Sequence, residues 1–517
     1  MGDRLDRNDP DGQAQAKTLS TVDSTDLPWR INSSPIAQEG VLIRLNQVPE
    51  RLMHLVRWGL AVSWLLLIAS MFYDPISLIL TAPDNLSSPF RIHPETCILL
   101  QGECLAQKPY SLGVRLFWSA IVPAAIFIIF VFGHEAWRRM CPLSFFSQLP
   151  RALKLQRQRK IVDSGILSYE LVSISEDSWL GKNHLYVQFG FFLGLTARLL
   201  IVNSNPLALG IFLIATILSA ILVGFLYAGK SWCNYFCPFA PVQAVFTGPR
   251  GLFGSQAHLQ PDVPQSMCRT NDNQSACVGC KSPCIDIDAE KAYWETLEQP
   301  ARRFVQYGYV GILIAFFGYF YLFAGNWDYY FSGAWSRDDA IGTLLSPGFY
   351  LFGRSIALPK LIAVPLTLAM FTVLSYLILS RVEKVYCAYL RQKDISASRQ
   401  QSHHTIFTLV TVFSFWFFFC FGGRPILNTM PTIVTLSFNA IAIFTGSIWG
   451  YRTLGRTQSQ YENVTQIHSN RQQPVVEEGN CLSTENSQPT HSSNSTATLV
   501  KPRHKISPDT TQTRPRS

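Results

Sequence analysis

Charge is what this chain has least of. Only 15% of its 517 residues are Asp, Glu, Lys or Arg, and its 34 acidic residues are outnumbered by 35 phenylalanines, which excludes an ordinary soluble domain of this length. The basic excess, a formal net charge of +9, does not point to nucleic acid. Its Lys and Arg residues stand in short clusters beside apolar runs, as juxtamembrane charges do. No apolar stretch of signal-peptide type stands near Met1. Asp6 occupies the place where a myristoylation signal wants Ser or Thr, so no lipid anchor is expected. Histidines are few, 10 in all. His54, His134, His184, His403 and His404 fall at the edges of apolar segments rather than at depth, so they read as interfacial anchors and no haem is expected. No pair of interrupted helices with facing charges is evident, which disfavours a transporter.

What the chain has in plenty is apolar length. Segments long enough to span a bilayer run over Leu55–Tyr73, Leu116–Phe132, Leu185–Val202, Leu207–Tyr227, Tyr307–Phe323, Leu361–Leu379, Ile406–Phe421 and Ile433–Trp449. They predict an all-α polytopic membrane protein of about eight helices in five parts. A polar tail (1–53) precedes helices one to four (54–228); a cysteine-rich segment (229–303) and helices five to eight (304–452) follow, then a Ser-, Thr-, Gln- and Asn-rich tail (453–517) expected to be disordered. Positive charge alternates between the joints. Arg138, Arg139, Arg151, Lys154, Lys230, Arg302, Arg303, Arg381 and Lys384 mark one side, and the other has little beyond Arg91, Lys108, Arg337, Arg354 and Arg424. The positive-inside rule then predicts a multi-pass protein of a bacterial-type inner or internal membrane, with both termini and the cysteine-rich segment cytoplasmic.

That topology sorts the cysteines. Six of the twelve lie between Ser231 and Glu295, as C-x3-C-P at Cys233 and Cys237, then C-x8-C-x2-C-x3-C at Cys268, Cys277, Cys280 and Cys284. Four thiolates at such spacing suit a 4Fe–4S cubane or a tetrahedral zinc. Cys97 and Cys104 are predicted on the opposite side, where an oxidising compartment permits a disulfide across a short loop. Three helix exits share a basic, aromatic, cysteine-bearing pattern: HEAWRRMCPLSFF, YAGKSWCNYFCPF and SRVEKVYCAYL. Aligned on Cys-Pro, Trp137 stands where the second copy has Cys233, and the third copy has Ala388 in place of Pro. Together they offer Cys141, Cys233, Cys237 and Cys387 for a second metal centre; the alternative keeps only Cys233 and Cys237 as relevant thiols, with Cys141 and Cys387 structural. Arg198, a charge inside the third apolar segment, is a weak candidate for a quinone site or a counter-charge, near enough to the outer end to snorkel.

The SWCNYFCPFAPVQ exit, its degenerate tandem RRMCPLSFF and the downstream CVGCKSPCIDID resemble the integral-membrane polyferredoxin family with paired C-x3-C-P motifs. Electron-transfer subunits of nitrous-oxide and nitrate respiration belong to that family, as does a cytochrome-oxidase assembly factor. The likeness spans roughly Leu112 to Glu295. It implies a 4Fe–4S protein, with one cluster and room for a second, that moves single electrons at the cytoplasmic face. Two features depart from the pattern: there is one ferredoxin-like group rather than two, and Ile285 follows Cys284 where ferredoxins have Pro. The implied partners, besides membrane lipid, are a ferredoxin or flavoprotein and either quinone or a second subunit. Arg269 and Lys281, beside proposed ligands, would favour the reduced cluster or serve docking. Both centres would lie on one side of a hydrocarbon core about 30 Å thick, so the chain alone does not wire electrons across it. The aromatic loop around Trp327, Tyr329, Tyr330 and Trp335 is a candidate docking surface or aromatic belt. The alternative function is a non-enzymatic scaffold, redox sensor or assembly factor whose centre is structural or regulatory.

Overall fold

The computed structural model describes residues 50–163, 166–202, 205–254, 284–337, 341–393 and 398–472. In chain order the helices that matter are α1 (Glu50–Ser70), α2 (Val122–Met140), α3 (Pro142–Ser147), α4 (Trp179–Val202), α5 (Pro206–Leu226), α6 (Ala240–Thr247), α7 (Ala289–Thr296), α8 (Pro300–Ala324), α9 (Lys360–Gln392), α10 (Arg399–Trp416), α11 (Thr432–Leu454) and α12 (Gln458–Gln472). Eight of them, α1, α2, α4, α5, α8, α9, α10 and α11, lie in helical stretches long and apolar enough to cross a membrane. Their outward faces are apolar: Leu66, Leu218 and Phe444 are 66%, 60% and 65% exposed. A soluble helix would put charge there. Hydrocarbon is the solvent such faces suit, since a helix satisfies its own backbone groups.

Helix α8 is the hub. Of its apolar window 72% is buried, against 17% to 50% for the other seven. Two apolar surfaces gain little by associating in lipid, so close backbone packing has to hold them. At Gly311 a Cβ would stand 2.2 Å from the Phe371 carbonyl oxygen of α9, and one turn earlier Ser375 Oγ donates to the Tyr307 carbonyl at 2.7 Å.

At one end of α8 the chain makes small sheets. Strands β1 (Leu99–Leu100) and β2 (Glu103–Cys104) pair antiparallel around Gln101 and Gly102, both at positive φ, as a two-residue hairpin requires. The Cys97–Cys104 disulfide encloses this hairpin. Gln101 pins it to the end of α8, its backbone N–H donating to Ala324 O at 3.1 Å and its side chain to Pro347 O at 3.0 Å. Two more antiparallel hairpins, β3 (Gln158–Asp163) with β4 (Ile166–Leu171) and β5 (Pro347–Leu351) with β6 (Arg354–Pro359), complete the strands among the described residues. None of these is apparent in the apolar pattern.

Three expectations are corrected here. The aromatic loop is not a free surface: Tyr329 and Tyr330 are buried, and Tyr330 stacks on Phe320 and Phe421 with its hydroxyl on Gly422 O at 2.8 Å. His403 and His404 are interior residues of α10 rather than interfacial anchors. Nε2 of His403 lies 2.7 Å from Glu383 Oε1, and Nδ1 of His404 lies 3.0 Å from Tyr293 Oη. Disorder does not begin at residue 453: α11 runs to Leu454, and α12 follows. Arg456 pairs with Glu290 at 2.9 Å and Tyr461 donates to Asp288, which ties this polar stretch to α7. The tails 1–49 and 473–517 lie outside the described residues.

Candidate metal centre

Two of the three cysteine-bearing exits are built alike. Helix α2 breaks at Gly133, with φ 83°, and Gly229 stands at the equivalent place beyond α5, with φ 69°. Glycine is the residue that takes this backbone without strain. Each exit then makes a further turn and stops at a cysteine in extended conformation, Cys141 at φ −57°, ψ 122° and Cys237 at φ −61°, ψ 121°. The stop is dictated by the next residue, because Pro142 and Pro238 push their predecessors out of the helical region. A short helix follows in both, α3 and α6. Backbone N–H groups of Leu143 and Ser144 donate to the Cys141 sulfur, and that of Phe239 to the Cys237 sulfur. Such bonds favour a thiolate ligand and tune the metal it holds.

The copies meet at matching positions. Arg138 Nη2 donates to Asn234 Oδ1 at 2.7 Å, and alignment on Cys-Pro makes these the same place in the repeat. Cys237 is buried; its thiol is pushed well above its ordinary pKa by burial first, then by the nearby sulfurs of Cys233 and Cys141. The three exit sulfurs therefore stand close enough to act on one another, and a metal bound there would take them as thiolates.

Across the exits lies a strap, Cys284 to Thr296, ending in α7. Its anchor is Asp286. Arg138 Nε, from the first exit, lies 3.1 Å from Asp286 Oδ1, close but not aligned as a hydrogen bond, and Lys230 Nζ, from the second, lies 2.8 Å from Oδ2. Burial alone would raise the Asp286 pKa, yet Arg138 and Lys230 outweigh it and hold the carboxyl at about 2, so Asp286 is a carboxylate at neutral pH. Behind the anchor, the Cys284 carbonyl accepts from the N–H groups of Ile287 and Asp288, and the Asp288 side chain caps α7 at Lys291 N, 3.0 Å.

Exits and strap enclose one cavity, lined by Cys233 and Cys284, by Arg138, Lys230 and Arg302, by Asp286, and by His134, His184, Gln188 and Gln243. Three cations face one carboxylate there, a balance that favours an anionic occupant. Among the described residues no three His, Cys, Asp or Glu side chains converge on a single ion. A cubane asks for something else, one thiolate at each of several separate irons, and sulfurs spread around a cationic cavity fit that demand.

The other sequence candidates fall as follows. Cys268, Cys277 and Cys280, with Arg269 and Lys281, lie outside the described residues. Cys387 sits within the unbroken helix α9, in the electrostatic field of Tyr307, without the glycine break and Cys-Pro stop of the other two exits. Arg198, on α4, places its guanidinium over the Phe212 ring at 5.8 Å, and neither terminal nitrogen has a hydrogen-bond partner among the described residues. Asp286, Asn234, Gln188 and Gln243 carry no sequence signal that separates them from ordinary loop and helix residues. Arg138 and Lys230 read from sequence as juxtamembrane charge, which concealed their part in the site.

Two segments of the chain, residues 114–161 and 209–256, match the 4Fe-4S binding domain family. The first contains Cys141 and the second Cys233 and Cys237, so each match falls on one of the paired exits. Neither a curated protein nor a solved structure matches the chain. The cofactor that the two matches define is a 4Fe–4S cluster.

Proposed function

We propose that the protein is a membrane-bound iron–sulfur electron carrier, passing single electrons at the cytoplasmic membrane face to or from quinone or a partner subunit. The observation that carries this reading is the cavity where both cluster-binding segments meet, with thiols opposite three cations, in a chain of eight membrane-length helices. A 4Fe–4S cluster supplies reversible one-electron chemistry with little rearrangement. The chain supplies the rest. Cys141, Cys233 and Cys237 are thiolate ligands, and the N–H groups of Leu143, Ser144 and Phe239 donate to two of the sulfurs. Arg138, Lys230 and Arg302 offset the negative charge gained on reduction, partly cancelled by Asp286. The neighbouring long apolar helices support a lipid-soluble acceptor, with a soluble donor on the water side.

The test is reversible reduction. Anaerobic protein in detergent is reduced by a low-potential ferredoxin or flavoprotein, and a short-chain quinone is added while visible absorbance is followed. Bleaching that recovers with quinone supports electron carriage. A cluster that neither donor reduces, or that reduces and never passes its electron on, points instead to a structural or regulatory centre.

A further inference from the structure

We propose that Cys284 is the fourth thiolate of the exit site, completing a set with Cys141, Cys233 and Cys237. The inference deepens the function proposed above and rests on it. The repeated exits are one sulfur short: the first copy has Trp137 where the second has Cys233, so two exits deliver three thiols to a cofactor that takes four. The third exit does not fill the gap in kind, because Cys387 lies inside a continuous helix with Ala388, not proline, behind it. Cys284 does. It lines the same cavity as Cys233, and Arg138 interacts electrostatically with Cys233, Cys284 and Cys237 together. Its position is fixed from both copies of the repeat, since Asp286, two residues on, is held at 3.1 Å by Arg138 and at 2.8 Å by Lys230. The same run of chain also explains how a loop cysteine reaches a membrane exit: in ferredoxin-type runs the last cysteine serves a neighbouring cluster rather than its own. Cys284 is the last of its run.

The experiment is a comparison of serine variants of the full chain, purified anaerobically in detergent and read by iron and acid-labile sulfide content and by electron spin resonance of the dithionite-reduced protein. Cys141→Ser, Cys233→Ser and Cys284→Ser are expected to abolish or shift one and the same signal, with loss of about four irons per chain where it is abolished, and Cys387→Ser to leave that signal intact. Serine keeps an oxygen donor, so altered g-values in protein that retains its iron would also report ligation. If Cys284→Ser spares the signal that Cys141→Ser removes, or if Cys387→Ser removes it, the assignment is wrong. Should a serine variant fail to accumulate, aspartate at the same position, which also offers an oxygen donor, is read the same way. Wild-type protein without iron and sulfide would overturn the underlying function instead, which keeps the two failures apart.

Discussion

Replacing Asp286 by Asn should release the strap. The side chain is held between Arg138 and Lys230 and is 6% exposed; an amide of the same shape removes the charge and leaves two cations facing a cavity that already contains Arg302. Breaking a buried pair by neutralising one partner costs about 3–5 kcal/mol, which is a hundredfold or more in an opening equilibrium at about 1.4 kcal/mol per decade. That loss bears on local opening rather than on the whole fold, because the close packing of α8 on α9 at Gly311 and Tyr307 does not involve the strap. Hydrogen exchange of the α7 amides reads it directly: protection of residues 289–296 should fall by about two orders of magnitude, while α8 is unchanged. Replacing Asp286, Arg138 and Lys230 together with apolar residues should recover much of the protection, since a removed pair is tolerated better than a broken one. Protection of α7 that is indifferent to Asp286→Asn would refute the clamp.

Other outcomes follow from the same contacts. With the Asp286 carboxyl held at about 2 against an ordinary 3.8, its contribution is complete above about pH 4 and is lost only as pH falls through 2; exchange rates of α7, corrected for intrinsic chemistry, should match at pH 8 and pH 5. Gly133→Ala imposes a positive φ on a side-chain residue and puts its Cβ 2.6 Å from Glu135 Oε2, so it should cost roughly 1–3 kcal/mol and lower iron content; Gly59→Ala, whose Cβ meets nothing within 4 Å, should leave iron content unchanged. Opening the Cys97–Cys104 disulfide, with its sequence separation of 7, should destabilise its loop by about 2–3 kcal/mol on loop-entropy grounds, seen as faster proteolysis near Gln101 with cluster content unaltered. Glu383→Ala removes the acceptor of Tyr307 Oη at 2.9 Å and the partner of His403 at 2.7 Å. It should destabilise the packing of α8, α9 and α10 by about 3 kcal/mol or more, measured as a lowered melting temperature in detergent.

Much of the frame was legible in the sequence because helices of membrane-crossing length advertise themselves one at a time, by uninterrupted apolar runs. The Cys-Pro exits were legible for a related reason: glycine, cysteine and proline at fixed offsets dictate a local backbone, and Gly133 with Cys141 and Gly229 with Cys237 take it twice. What stayed hidden depends on partners far apart in the chain. Arg138 and Lys230 obey the positive-inside pattern as well as any lysine or arginine at a helix end, and only the fold brings Asp286 to both. Cys387 differs in the opposite way: its neighbours resemble the other exits, but without a glycine break and a following proline α9 runs on to Gln392. His403 and Glu383 are polar residues beside apolar runs, so their burial against one another emerges only when α9 and α10 pack. Tyr329 and Tyr330 look like an exposed belt until Phe320 and Phe323 cover the first and Phe320 and Phe421 the second.

Whether the paired exits hold an iron–sulfur cluster is read from iron and acid-labile sulfide per chain in anaerobically purified protein, wild type beside a Cys233→Ala, Cys237→Ala double variant. Iron and sulfide are expected in equal amounts in the wild type, about four of each for every cluster, with about four fewer of each in the variant. Zinc without sulfide in the wild type, or full iron and sulfide in protein lacking both exit thiols, would contradict it.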